Sequence, residues 1–347
     1  MKFLNALGFL TILKIPQKFY LKSEEYPGIL VYFPVAGLLI GIFNAIVFTA
    51  LNFFMPLFLS ILIIAGFEVV MTGGIHVDGV ADVFDGVFSG EKDKSRIMEI
   101  MKKGDIGVFG GLALLFSMAL KISLLFFIAK AASLTSFLSF DPISAVPVLK
   151  LDFQLRGFLI YILAVIFMPV FGRLSMLYLF SRHKPAAAGK SLSGVFIDKS
   201  NTEVFWLSVI YIGILFTGIY MFTQMWFLGQ TSQAVQAAQE TSAAIQASGT
   251  LQAGQEIRSA AAASGTDFIQ LFTLLLYLRN DIRLEIFAAV FALKSFAAIV
   301  FTFLFSAATG RFFTKRIGGL SGDIIGAVCV LTEIFFLLLY YIFLRLI

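Results

Sequence analysis

The chain has 347 residues, 59% of them hydrophobic and only 14% charged, with a mean hydropathy of +0.93; soluble domains carry about 25% charged residues, so a soluble globule is excluded. Lys and Arg give a net charge of +5, but they stand in short loops beside apolar runs, which argues for membrane anchoring and against a nucleic-acid face. The single cysteine, Cys329, lies inside an apolar run and leaves neither a disulfide framework nor a thiolate metal site.

In chain order, Met1 to Pro16 is a short amphipathic stretch without a small-residue cleavage site, expected as a retained interfacial helix. Apolar runs long enough to cross a hydrocarbon layer of about 30 Å follow. They lie near 28–50, 51–72, 107–131, 157–180, 203–227, 284–308 and 322–344. The expectation is an all-α, polytopic helical bundle of about seven transmembrane helices, built as one integral membrane domain over 1–347. The apolar segment 268–278 is too short to cross and suits a re-entrant or interfacial piece. Two connections, 132–156 and 226–283, read as insertions on the non-cytoplasmic side; within the second, 229–265 is rich in Gln, Ala, Ser, Thr and Gly and has no apolar stripe to bury. Positive residues gather around the N-terminus and in the loops 73–106, 181–202 and 309–321, which places these in the cytoplasm and the chain in the cytoplasmic (inner) membrane.

The chemistry concentrates in Thr72-Gly73-Gly74-Ile75-His76-Val77-Asp78-Gly79-Val80-Ala81-Asp82-Val83-Phe84-Asp85-Gly86, where the second span meets the cytoplasmic face. Asp78, Asp82 and Asp85 stand at i, i+4 and i+7 and so share one helix face within roughly 60°. Three like charges at such spacing call for a cation among them. Magnesium fits, because it takes a few carboxylates, keeps several waters and completes its shell with phosphate oxygens. N-capping explains one aspartate but not three on one face. His76 is a poor magnesium ligand and is expected as a substrate contact or proton carrier. Glu68, the acid inside the second span, is within reach of the cluster, while Glu333 is a comparable acid in the last span and Lys121 and Lys294 are candidate partners for such acids.

Glycines form the second signal, in the run Gly104 to Gly111 and in Gly318-Gly319-Leu320-Ser321-Gly322-Asp323, where backbone amides can approach phosphate oxygens. Arg311, Lys315 and Arg316 precede the latter. Arg182, Lys184 and Lys190 cluster at the cytoplasmic end of the fourth span, and Arg173 lies inside that span, where anchoring is a poor account; it is the expected phosphate clamp. With the three cytoplasmic loops meeting above one bundle, these groups make the toolkit of metal-assisted phosphoryl or nucleotidyl transfer.

The segment Gly73 to Asp82, with Asp85-Gly86, resembles the GG-hydrophobic-H-hydrophobic-DG-hydrophobic-AD-x-x-DG signature of the cobalamin synthases, the adenosylcobinamide-GDP ribazoletransferases. Phe9-Leu10-Thr11 with Pro16, Tyr32 to Gly37 with Gly41, and Arg316 to Asp323 with Gly326-Ala327 and Glu333 resemble further elements of that family. The resemblance implies a magnesium-dependent membrane enzyme that transfers the cobinamide phosphate of adenosylcobinamide-GDP to α-ribazole or its 5′-phosphate and releases GMP. It implies that Asp78, Asp82 and Asp85 hold metal and pyrophosphate with Glu68 in support, and that Arg316 and Asp323 finish the pocket; Arg173, Lys190 and Gly322 are candidate substrate contacts on the residues themselves. Membrane lipid is the surrounding partner, a homo-oligomer is compatible, and no nucleic acid is involved. Lys103 to Gly110 departs from the family's DSRIGT-aromatic-G, and Ser181 to Gly194 matches loosely.

Two rival readings suit parts of the same pattern. A CDP-alcohol phosphotransferase requires Arg where Asp82 stands and a later G-x-x-x-D-x-x-x-D. An ion or solute transporter places its acids at mid-membrane, often in repeated halves, whereas these acids crowd the interface.

Overall fold

The computed structural model describes residues 1–132, 147–186, 196, 202–223 and 283–345. Helix α1 (Lys2–Leu10) buries Asn5, Ala6 and Leu10. It leads through short 3-10 turns at Gln17–Phe19 and Ser23–Tyr32 into α2 (Phe33–Phe54), α3 (Leu57–Met71), α4 (Ile75–Phe88), α5 (Lys94–Lys102), α6 (Val108–Ala131), α7 (Pro147–Arg182), α8 (Thr202–Thr223), α9 (Arg283–Ile317) and α10 (Gly322–Arg345). Among the described residues, six helices are long and apolar enough to cross a membrane, or seven if the bent pair α3 and α4 counts as one span. The fold is the expected all-α membrane bundle.

The second span differs from expectation. Hydropathy runs on smoothly through residue 72, yet α3 stops at Met71 and α4 leaves it at 87°. The cause is local. Gly73 (φ 65°) and Gly74 (φ 72°) both take the left-handed conformation open to glycine. Their amides close back on Val70 and Val69 at 3.0 and 2.8 Å, and the Thr72 hydroxyl donates to the Glu68 carbonyl at 3.0 Å, so the end of α3 is capped as the chain turns. Helix boundaries shift elsewhere too: α7 begins at Pro147, inside the stretch read as a connection, and α9 continues to Ile317, past the predicted end at 308. The rest of the connection 132–156, the segment 268–278 and the insertion 226–283 short of Arg283 fall outside the described residues.

Small residues set the helix crossings. A Cβ built at Gly37 would stand 2.7 Å from the Pro169 carbonyl oxygen, and Gly41 presses on Ile166 in the same way, so α2 and α7 meet backbone to backbone. Large apolar side chains such as Phe43, Phe58, Leu115 and Phe116 are left on the outside of the bundle.

Candidate active site

The site is built where α4 crosses the start of α10. A Cβ at Gly79 would lie 3.1 Å from the Asp323 Cα, and one at Gly326 would lie 3.1 Å from the His76 Cα. Each glycine thus clears room for the other helix's chemical residue, and the first acidic motif and the C-terminal motif interlock. Asp78, Asp85 and Asp323 come close enough to Asp82 to act on it electrostatically, and Lys102, at the end of α5, is the cation that acts on Asp323. Asp78 is exposed and Asp82 half-buried, so both carboxylates are open to a ligand. The loops expected to meet do so. The Lys184 carbonyl accepts from the Leu320 amide at 2.8 Å, the Leu320 carbonyl accepts from the Ala186 amide at 3.0 Å, and the Lys94 side chain lies over Gly318.

Asp85 has a different setting from its two neighbours. Its Oδ2 accepts from the Gly107 amide at 2.7 Å and its Oδ1 from the Gly110 amide at 2.8 Å. These are orphan amides at the N-terminus of α6, whose own N-cap residue, Gly107, offers no side chain. Asp85 is therefore an N-cap supplied from another helix, with its charge set against the positive end of the α6 dipole. Glycine is needed at 107 and 110 because a side chain at either would collide with that carboxylate. The run Gly104 to Gly111, expected to approach phosphate, instead gives two of its amides to Asp85.

Glu68 and Arg173 also require correction. Glu68 is buried, and its Oε2 accepts from Lys121 Nζ at 3.0 Å and Asn44 Nδ2 at 3.4 Å. Lys121 also binds Glu333 Oε2 at 2.8 Å; Arg173 Nη1 pairs with Glu333 and lies 3.8 Å from Glu68 Oε1. Two acids and two cations from α3, α6, α7 and α10 thus neutralise one another inside the bundle. This explains why Lys121 is tolerated there. Gly172 makes space for Glu333, since a Cβ there would stand 2.6 Å from Oε1. With 0% exposure, Arg173 is closed off from a soluble phosphate, and Glu68 is engaged by cations rather than gathered with the aspartates.

His76 is buried between the two regions. Its charged neighbours are Arg173 and Lys121, and its Nε2 has no hydrogen-bond partner among the described residues. Arg316 is exposed, and Gly322 opens α10 with free space where a Cβ would be. Lys190 lies outside the described residues. Sequence reasoning missed Asn44, Lys102 and the capping role of Asp85, because no local pattern announces a partner from another helix.

Among the described residues, no three His, Cys, Asp or Glu side chains converge tightly enough to hold an ion unaided. Magnesium asks for less, since one or two carboxylates with substrate phosphate oxygens and water suffice. The open oxygens of Asp78 and Asp82 fit that requirement.

Comparison with known proteins gives the same direction. The family model described as cobalamin-5-phosphate synthase matches residues 2–240 and 219–341. A protein of Acetivibrio thermocellus named adenosylcobinamide-GDP ribazoletransferase is 28% identical over 343 residues, covering 99% of this chain and 98% of its own. Proteins of the same name from a Thermoanaerobacter species and from Escherichia coli are 32% identical over 205 residues (59% of this chain, 70% of the relative) and 41% identical over 129 residues (35% and 50%). No solved structure matches. With the family model accounting for nearly the whole chain and the signature residues drawn together at one helix crossing, the chain belongs to the cobalamin-5-phosphate synthase family.

Proposed function

We propose that the chain transfers the cobinamide phosphate of adenosylcobinamide-GDP to a hydroxyl of α-ribazole or α-ribazole 5′-phosphate. A bond forms between the acceptor oxygen and the cobinamide-linked phosphorus, the bond to GMP breaks, and the hydroxyl proton passes to a carboxylate of the cluster. The observation that carries this reading is the interlock of Gly79 with Asp323, which brings Asp78, Asp82 and Asp323 to one place. Asp78 and Asp82 would hold magnesium, which when bound neutralises charge on the pyrophosphate. Asp323 orients the pocket from the opposite helix, and Lys102 balances its charge. His76 contacts substrate or relays a proton from beneath. The apolar exterior meets lipid, and the positive loops set the chain in the cytoplasmic membrane with the site toward the cytoplasm.

The test is turnover of purified protein in detergent, with adenosylcobinamide-GDP and either acceptor, across a magnesium titration. Asp82→Asn is expected to lower kcat by at least about a hundredfold while the protein inserts and unfolds as wild type does. Product formation without any divalent cation would remove magnesium from the mechanism, and undiminished turnover by Asp82→Asn would remove the site.

A further inference from the structure

A cavity of about 420 Å³ opens where α7 and α9 end. Its walls are His183 and Lys184 just past α7, Arg311, Thr314 and Lys315 on the last turns of α9, and the turn at Gly318. Three full positive charges face it, and no Asp or Glu lines it. Among the described residues none of the three cations is held in an ion pair. Helix dipoles explain only part of this: each C-terminus presents about half a negative charge, so two offset about one cation of the three. Membrane anchoring places cations at headgroup level but does not require them to converge on a hollow.

Behind the wall, His183 carries a buried polar atom. The Thr314 hydroxyl donates to the Gly310 carbonyl at 2.7 Å and lies 3.3 Å from His183 Nδ1. His183 Nε2 is buried without a hydrogen-bond partner among the described residues. Burial, and next the nearby Arg311, hold His183 below the ordinary histidine range, so the positive charges at the cavity are those of Lys184, Arg311 and Lys315.

We propose that this cavity is a phosphate subsite that takes the phosphate of a phosphorylated ribose or nucleotide substrate. The inference rests on the transferase reading and adds to it the place where a soluble phosphate docks. Two backbone hydrogen bonds between the Lys184 segment and Leu320 fix the cavity against the start of α10, and with it Asp323.

The experiment uses the full chain in nanodiscs of phosphatidylcholine, comparing wild type with the double variant Arg311→Gln/Lys315→Gln. KM and kcat are measured for adenosylcobinamide-GDP, α-ribazole and α-ribazole 5′-phosphate, and binding of GMP and inorganic phosphate is measured by calorimetry. The double variant is expected to raise KM for a phosphorylated substrate at least about tenfold while kcat stays within about threefold. A rise for α-ribazole 5′-phosphate and not α-ribazole assigns the acceptor's phosphate; a rise for adenosylcobinamide-GDP together with weaker GMP binding assigns the nucleotide's. Unchanged KM and affinities in a folded variant overturn the subsite. So does charge-dependent binding of phosphatidylglycerol vesicles without any soluble phosphate, which would make the cavity a headgroup site. If the double variant does not fold, Lys184→Gln, at an exposed position, carries the same comparison. Wild type inactive on every donor sinks the transferase reading instead, so the two failures are distinguishable.

Discussion

Gly79 lies flat against the backbone of Asp323, with room for no side chain: a Cβ there would stand 2.5 Å from the Asp323 carbonyl oxygen. The neighbour is backbone and cannot swing aside, so any larger residue must push α4 and α10 apart and carry Asp323 away from Asp82. Gly79→Ala is expected to cost about 1–3 kcal/mol and to depress transfer beyond what the loss of folded protein explains. Gly66→Ala, where a Cβ meets nothing within 4 Å, is the control. Thermal unfolding and turnover per folded molecule decide it, and a Gly79→Ala enzyme as fast as wild type would show that the crossing does not set the site.

Asp85 caps a helix that is not its own. Asp85→Ala frees two amides at the start of α6 and is expected to destabilise by about 1–2 kcal/mol. Asp85→Asn keeps one acceptor oxygen and is expected to fall between. Denaturation midpoints of the three proteins check the order, and equal stability of Asp85→Ala and wild type would refute the cap.

The internal ion network predicts a rescue. Lys121→Met leaves Glu68 and Glu333 with Arg173 alone and is expected to cost about 3–5 kcal/mol, the range for an uncompensated buried charge. Adding Glu68→Gln restores one acid to one cation and is expected to return a good part of that loss. A double variant no more stable than the single would show that the charges do not act as a set.

His183 predicts a pH effect with a definite sign. Burial and Arg311 favour its neutral form in the folded chain, so the unfolded chain takes up the proton first as pH falls. Its contribution is intact above the ordinary histidine range near about 6.5 and is lost on acidification toward the lowered folded value. The difference in stability between wild type and His183→Gln, measured from pH 8 down to pH 5, isolates this from the carboxylates. A difference independent of pH would rule it out.

Much of this was legible in the residues. The apolar runs announced the bundle, and the spacing of Asp78 and Asp82 announced a shared face, because both are local periodicities. The break at Gly73 and Gly74 was hidden, since mean hydropathy is blind to a left-handed turn between two apolar stretches. Arg173 looked like a phosphate ligand because an arginine within a span demands an anion; that the anion is Glu333 is a fact of tertiary pairing, which no window of sequence contains. Asp85 was grouped with its neighbours by phase alone, and its partners, Gly107 and Gly110, are reached only through the fold. Arg311 and Lys315 stood beside the glycine motif in the sequence, and only the fold sets them with Lys184 around one open hollow.

The early turn out of α3 has a consequence for depth. Its 15 residues rise only about 22 Å, well short of a hydrocarbon layer of about 30 Å. A short α3 thus sets Asp78 and Asp82, on α4, deeper along the bundle than the end of a full-length span would, and a bulky amphiphilic donor is expected to reach them by sinking in rather than by touching a surface above.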